Sequence, residues 1–222
     1  MNNHTWTEEN QHEGDTPVND TSLTHDKPYL VDIYLKGEEA IPDYETAVRE
    51  HEGWDPELNV YAAKVGEVID IIFLNQPNGY DGGFDAYPFH IHGGHVYDPC
   101  SGPGDYNATE NEAKLKGYNP ITRDTSLLYK YTNGQDDSGN LNYTNQGWRA
   151  WRLKVDNAGV WTVHCHNIFH VIMGMQSIWV MGNASEITRG AEPVLVEGYL
   201  TFGGNAHGNS TYDPLVNHYY DN

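Results

Sequence analysis

Basic residues are scarce in this chain: Lys and Arg total 12 against 32 Asp and Glu, a formal charge of −20. Such a balance repels phosphate backbones and argues against nucleic acid as a partner. The acids are dispersed, which reads as a solvated surface and not a cation-binding tract. Cysteine is scarcer still. With only Cys100 and Cys165, a disulfide framework is excluded. No apolar run approaches the ~20 residues that span a bilayer, so no membrane partner is expected. The opening Met1-Asn2-Asn3-His4-Thr5-Trp6 has neither the charged start nor the apolar centre of a signal peptide. It reads like the inside of a domain, and the chain is expected to be one domain, or a truncated product, of a larger protein.

Histidine, by contrast, is concentrated. Residues 164–175 run His-Cys-His-Asn-Ile-Phe-His-Val-Ile-Met-Gly-Met. Cys165, with His170 five residues on and Met175 ten residues on, has the donor types of a type 1 copper site, in which thiolate and imidazole are joined by a weak axial thioether. Successive side chains on a strand point to opposite faces. Cys165 therefore looks one way, while His164 and His166 look the other, toward a second metal centre. Upstream, Tyr87-Pro88-Phe89-His90-Ile91-His92-Gly93-Gly94-His95 places His90 and His92 on one strand face, a spacing suited to adjacent metals. Alone, a His-x-His pair also arises on an exposed strand face, and a lone strand Cys is commonly a small buried hydrophobe. The two clusters together point to metal.

Short alternating apolar runs, punctuated by Gly, Pro and Asn, predict an all-β sandwich. Strands are expected at Tyr29–Leu35, in two pieces of Asn59–Asn75 broken at Gly66, at Ser126–Tyr131, at Gly147–Val155, through the His-Cys-His segment and at Gln176–Met181. A short helix or turn is expected within Ile41–Gly53, and loops at Asp98–Tyr118 and Thr132–Gln146. Residues 1–28 form a polar lead-in, 29–183 the domain, and 184–222 a C-terminal extension that wraps without a core of its own. Trp148, Trp151, Trp161 and Trp179 are expected in the core. Ile168, Phe169, Val171 and Ile172 are expected to pack around the metal as a dry shell that sets solvent access and redox potential. Asn-x-Ser/Thr acceptors at Asn3, Asn19, Asn107, Asn142, Asn183 and Asn209 favour a secreted glycoprotein.

From about Tyr29 to Tyr199, the chain resembles the C-terminal, third cupredoxin domain of a multicopper oxidase of the fungal branch related to ascorbate oxidase and laccase. The resemblance rests on the two histidine clusters and on Asp156-Asn157-Ala158-Gly159-Val160-Trp161 ahead of the second. It implies a Greek-key, plastocyanin-like β-sandwich with copper as cofactor. Cys165, His170 and Met175 match type 1 ligands, Cys165 and His170 being the residues that take up and relay electrons at the exposed edge of His170. His92, His164 and His166 match type 3 ligands and His90 a type 2 ligand of a trinuclear cluster. The implied partners are the remaining cupredoxin domains, O₂ and a small reducing substrate such as ascorbate or a phenol.

One position departs from the pattern. Tyr87 stands where the family has its second type 1 histidine. A phenol with pKa near ~10 is a poor substitute for an imidazole, and His95 is the nearby alternative donor. A Cys100–Cys165 bond would remove the copper thiolate, so Cys100 is expected free or paired outside this chain. The alternatives to an oxidase domain are a stand-alone copper-binding or electron-transfer module, a cluster assembled between subunits, and a degenerate metal-free homologue.

Overall fold

A computed structural model describes residues 29–76, 86–132, 138–140 and 144–189. Two sheets face each other. The larger contains β1 (Trp54–Asp55), β2 (Val60–Ala63), β10 (Gln176–Met181), β9 (Gly159–Cys165), β4 (Ala86–Ile91) and β7 (Thr125–Tyr129), in that spatial order. The smaller runs β3 (Val68–Asn75), β8 (Gly147–Lys154), β5 (Val96–Gly102) and β6 (Ile121–Arg123). Most neighbours are antiparallel, while β10 pairs with β2 in parallel. This is the predicted β-sandwich.

The core lies between the sheets and is strongly aromatic. Phe73 of β3 stacks on Phe89 of β4 with ring centres 4.3 Å apart, and meets the edge of Trp151 at 4.8 Å. Trp151 is fully buried, and its indole N–H donates to Ser126 Oγ across the sandwich. Ser126 in turn donates to Asp98, whose carboxylate is held by Arg149 through contacts of 2.9 and 2.6 Å. A buried charge persists only when it is paired and hydrogen-bonded in this way.

Tyr29–Leu35 is a correction. Tyr29–Lys36 forms a helix, α1, and not a strand. Tyr29 and Ile33, four residues apart, are both buried against Ala184 and Ile187, and Asp32 pairs with Lys36 at 2.9 Å along the same helix. That i, i+4 geometry suits a helix and not an alternating strand. The helix expected within Ile41–Gly53 is α2 (Tyr44–His51), capped by Asp43.

Asp98–Tyr118 is also not a loop. Its start belongs to β5, which bulges between Tyr97 and Cys100, and Ala108–Leu115 forms α3. The Asn107 side chain accepts from the Glu110 amide, an N-cap whose sequence signal was present but overshadowed by the surrounding Gly and acids. Residues 184–188 are likewise helical (α5) instead of extended. Asn183 and Glu186 form a capping box that seats Ala184 and Ile187 in the core. The lead-in 1–28, most of Thr132–Gln146 and the extension from 190 onward lie outside the described residues.

Candidate metal centre

The centre is built by one pair of strands. In the β4–β9 ladder, Phe89 lies opposite Cys165 and His90 opposite His164. Because side chains alternate, Tyr87, Phe89, Ile91, Val163 and Cys165 enter the core, while His90 and His164 emerge on the other face. His92 and His166 extend the same face just beyond the strand ends.

Four imidazoles converge there. Ring centres are 4.9 Å apart for His90–His92, 5.1 Å for His92–His164, 5.5 Å for His164–His166 and 5.6 Å for both His90–His164 and His90–His166. One ring nitrogen each from His90, His92 and His164 lies within 4.8 Å of the others. The distal nitrogens are aimed by bonds on the proximal ones. His90 Nδ1–H donates to the Asp124 carbonyl at 3.0 Å, with Thr125 Oγ1 at 3.1 Å, and His164 Nδ1–H donates to the Cys165 carbonyl at 3.0 Å. Such bonds fix the tautomer and free Nε2 for a metal. The Nε2 atoms of His92 and His164 face each other at 3.1 Å. Burial, and then the like charge of neighbouring imidazoles, holds the pKa of His92 below its usual value. Burial likewise lowers His164, against the hydrogen bond to Cys165. Neutral imidazole is the form a metal requires.

The Asp156–Trp161 motif gains a physical role. Asn157 Nδ2–H donates to the Gly93 carbonyl at 2.6 Å, and Trp161 Nε1–H donates back to the Asn157 carbonyl at 3.1 Å. Gly93, with φ +77°, lies directly beneath the Trp161 ring. The motif thus braces the turn that follows His92.

On the core side, Cys165 is 0% exposed, and its Sγ lies 3.3 Å from His170 Nδ1. Burial pushes its thiol pKa up, partly offset by the Asn167 backbone N–H, so a nearby cation is what would favour the thiolate. Asn167 caps the short helix α4 (Ile168–Ile172), which turns His170 inward. Met175 is tied to both ligands, its carbonyl accepting from Cys165 N at 3.0 Å and its N–H donating to the His170 carbonyl at 2.8 Å. The Tyr87 ring centre is 5.4 Å from that of His170. His95 is exposed beyond the Gly93 turn.

Two expectations are corrected. His170 is only 6% exposed, so its edge is not open to solvent. Ile168, Phe169 and Ile172 do not form a dry shell: Phe169 is 72% exposed and neighbouring Met173 75%. A single helical turn can send only one face inward, and His170 takes it. Both cysteines are free thiols. Sequence reading missed Asp124, Thr125 and Asn167 as supports. Asn167 alone carried a local signal, a capping residue before an apolar turn.

An all-β sandwich with a four-imidazole face and a cysteine–histidine pair behind it has the donors of a copper-binding domain. The multicopper oxidase pattern matches residues 23–185, and the chain is 64% identical to the multicopper oxidase terE of Aspergillus terreus across 100% of its own length and 41% of that protein. The chain belongs to the multicopper oxidase family, whose cofactor is copper. It is also 46% identical to laccase-like multicopper oxidase 1 of Thermothelomyces thermophilus, covering 90% of this chain and 31% of that one. An L-ascorbate oxidase of Cucurbita pepo var. melopepo is 33% identical over 55% of this chain and 19% of its own. The chain therefore spans less than half the length of these relatives. Among solved structures, the multicopper oxidase Fet3p shares the fold, with a TM-score of 0.53 at 18% identity, over 97% of this chain and 34% of that one.

The residues fit copper on the histidine face: three convergent ring nitrogens are a natural site for a borderline metal ion. The core side fits less completely, because it offers one cysteine, one histidine and one methionine, and the next side chain beside His170 is the Tyr87 phenol.

Proposed function

We propose that this chain is the C-terminal copper-binding domain of an oxidoreductase that couples one-electron oxidation of a small reducing substrate, such as ascorbate or a phenol, to four-electron reduction of O₂ to water. The observation that carries the reading is the convergence of His90, His92 and His164, with His166 beside them, on the face of the strand pair opposite Cys165. Copper supplies the one-electron redox chemistry. The protein's part is placement. β9 links the two faces covalently, since Cys165 lies between His164 and His166 in the chain. Asp124, Thr125 and the Cys165 carbonyl orient the imidazoles, and the buried setting of Cys165 excludes water. Four imidazoles on one face are half of a larger ligand set, and further cupredoxin domains would supply the rest. The exposed acceptors Asn107 and Asn183 support a secreted, glycosylated protein.

The test is to load the 222-residue chain with copper, count the metal bound and follow O₂ uptake with ascorbate and with a phenol. Bound copper without O₂ uptake is expected. Sustained turnover by the isolated chain would refute the need for partner domains, and failure to bind copper would refute the reading altogether.

A further inference from the structure

Tyr87 changes what the core-side site can hold. It reaches the site by the same inward parity as Phe89, which pairs with Cys165, and its ring lies against His170. Behind it, Tyr87 and Met175 line a cavity of about 820 Å³ walled by aromatic and aliphatic side chains such as Phe89 and Trp179 and also by Glu52, Asp70, Asn75 and Gln76; no histidine or cysteine lines it. Among the described residues, His170 Nδ1 lies 3.3 Å from Cys165 Sγ, Met175 packs against the same core and is tied to both through its backbone, and the Tyr87 ring lies beside His170.

We propose that Cys165, His170 and Met175 hold copper(I) as a soft three-donor site, Tyr87 occupying the side where a second imidazole would have made a blue copper(II) centre. The inference rests on the copper reading above. Two arguments support it. Thiolate and thioether are soft donors that select copper(I), whereas copper(II) favours several nitrogen or oxygen ligands in tetragonal array. Charge points the same way. Copper(I) with a thiolate is neutral overall, while copper(II) leaves an unpaired positive charge. Cys165, His170 and Tyr87 are all buried, and an uncompensated charge in such surroundings is costly.

The experiment uses the metal-free chain. Copper(I) is titrated anaerobically against a chromophoric copper(I) chelator, and copper(II) is added separately while the visible spectrum is recorded. The wild type is expected to bind one more copper(I) than Cys165→Ser, and to show no intense blue thiolate band with copper(II). Tyr87→His is expected to gain that band. Met175→Leu, which preserves volume and fold, should weaken retention of this copper(I) about tenfold or more, in the range that site-shaping changes usually cost. A blue wild type, a colourless Tyr87→His that is still folded, or equal copper(I) binding by wild type and a folded Cys165→Ser would each overturn the proposal. Copper(I) held at Cys165 with none at the histidine face supports it while overturning the oxidase reading.

Discussion

Replacing Gly93 by Ala tests how tightly the turn after His92 is bound to Trp161. An added Cβ would fall 2.1 Å from Trp161 Cδ2 and 2.3 Å from Cε2, far inside contact distance, so the indole must leave its place. Backbone strain at φ +77° costs about 1 kcal/mol for a residue with a side chain. Overpacking adds roughly 1–3 kcal/mol, and loss of the Trp161–Asn157 hydrogen bond about 1 kcal/mol. The sum is about 3–5 kcal/mol. Gly37→Ala is the control, because φ is +63° there with nothing within 4 Å of the new Cβ. It should cost the strain alone, about 1 kcal/mol. Chemical denaturation of both variants gives the difference, and copper titration should show the Gly93 variant losing metal at the histidine face. A double substitution, Gly93→Ala with Trp161→Ala, should recover part of the loss relative to the sum of the single changes. If Gly93→Ala is no worse than Gly37→Ala, the bracing of His92 by Trp161 is refuted.

Asp98→Asn should destabilise the fold by about 3–5 kcal/mol in denaturant, since it removes the buried carboxylate that pairs with the half-buried Arg149 cation. Asp70→Asn, which breaks the half-exposed pair with Arg152, should cost under about 1 kcal/mol. Equal costs would contradict the burial argument. The Tyr44 phenol donates to Glu67, and that bond, with burial and the negative charges of Glu67 and Glu45, raises its pKa to about 12. The folded state therefore holds this proton more tightly than the unfolded one. The contribution to stability is complete below pH 10, the phenol's ordinary pKa, and is lost as pH rises through about 12. Tyr44→Phe should remove that alkaline decline, as read from denaturation midpoints across the range. His92→Ala should lower copper stoichiometry while near-ultraviolet circular dichroism stays native, because its ring is shielded only by the neighbouring imidazoles and lies outside the hydrophobic core.

Much of this was legible in the residues because the chemistry and the strand period reinforce each other. Cys165 between two histidines, read with a period of 2, already separates a thiolate face from an imidazole face, and the β4–β9 register shows that separation. The strands at Val68–Asn75 and Gly147–Lys154 were marked by apolar runs and bounding Gly or Asn. The helices were harder. In Tyr29–Lys36, apolar residues outnumber the polar ones that would reveal a helical stripe, and the partners that decide the matter, Ala184 and Ile187, are distant in sequence. For α4, the rule that apolar residues beside a ligand pack around it failed because a turn of five residues has one inward face. The supports of His90 were invisible for a different reason: a backbone carbonyl such as that of Asp124 leaves no trace in side-chain composition.

The pairing of Phe89 with Cys165 and His90 with His164 also constrains how such a chain can change. Length can vary freely in surface connections, where an added residue is absorbed by the loop. Between Tyr87 and His92, or between Val163 and His166, a single inserted or deleted residue would slip the ladder by one and exchange the two faces. In β4 the imidazoles would then point into the aromatic core, and in β9 the Cys165 thiol would face outward. Substitution in these two short segments alters one side chain at a time, whereas a change of length there would turn over every residue beyond it on that strand. Insertions and deletions should therefore be absent from these segments even among variants that tolerate exchange of individual donors.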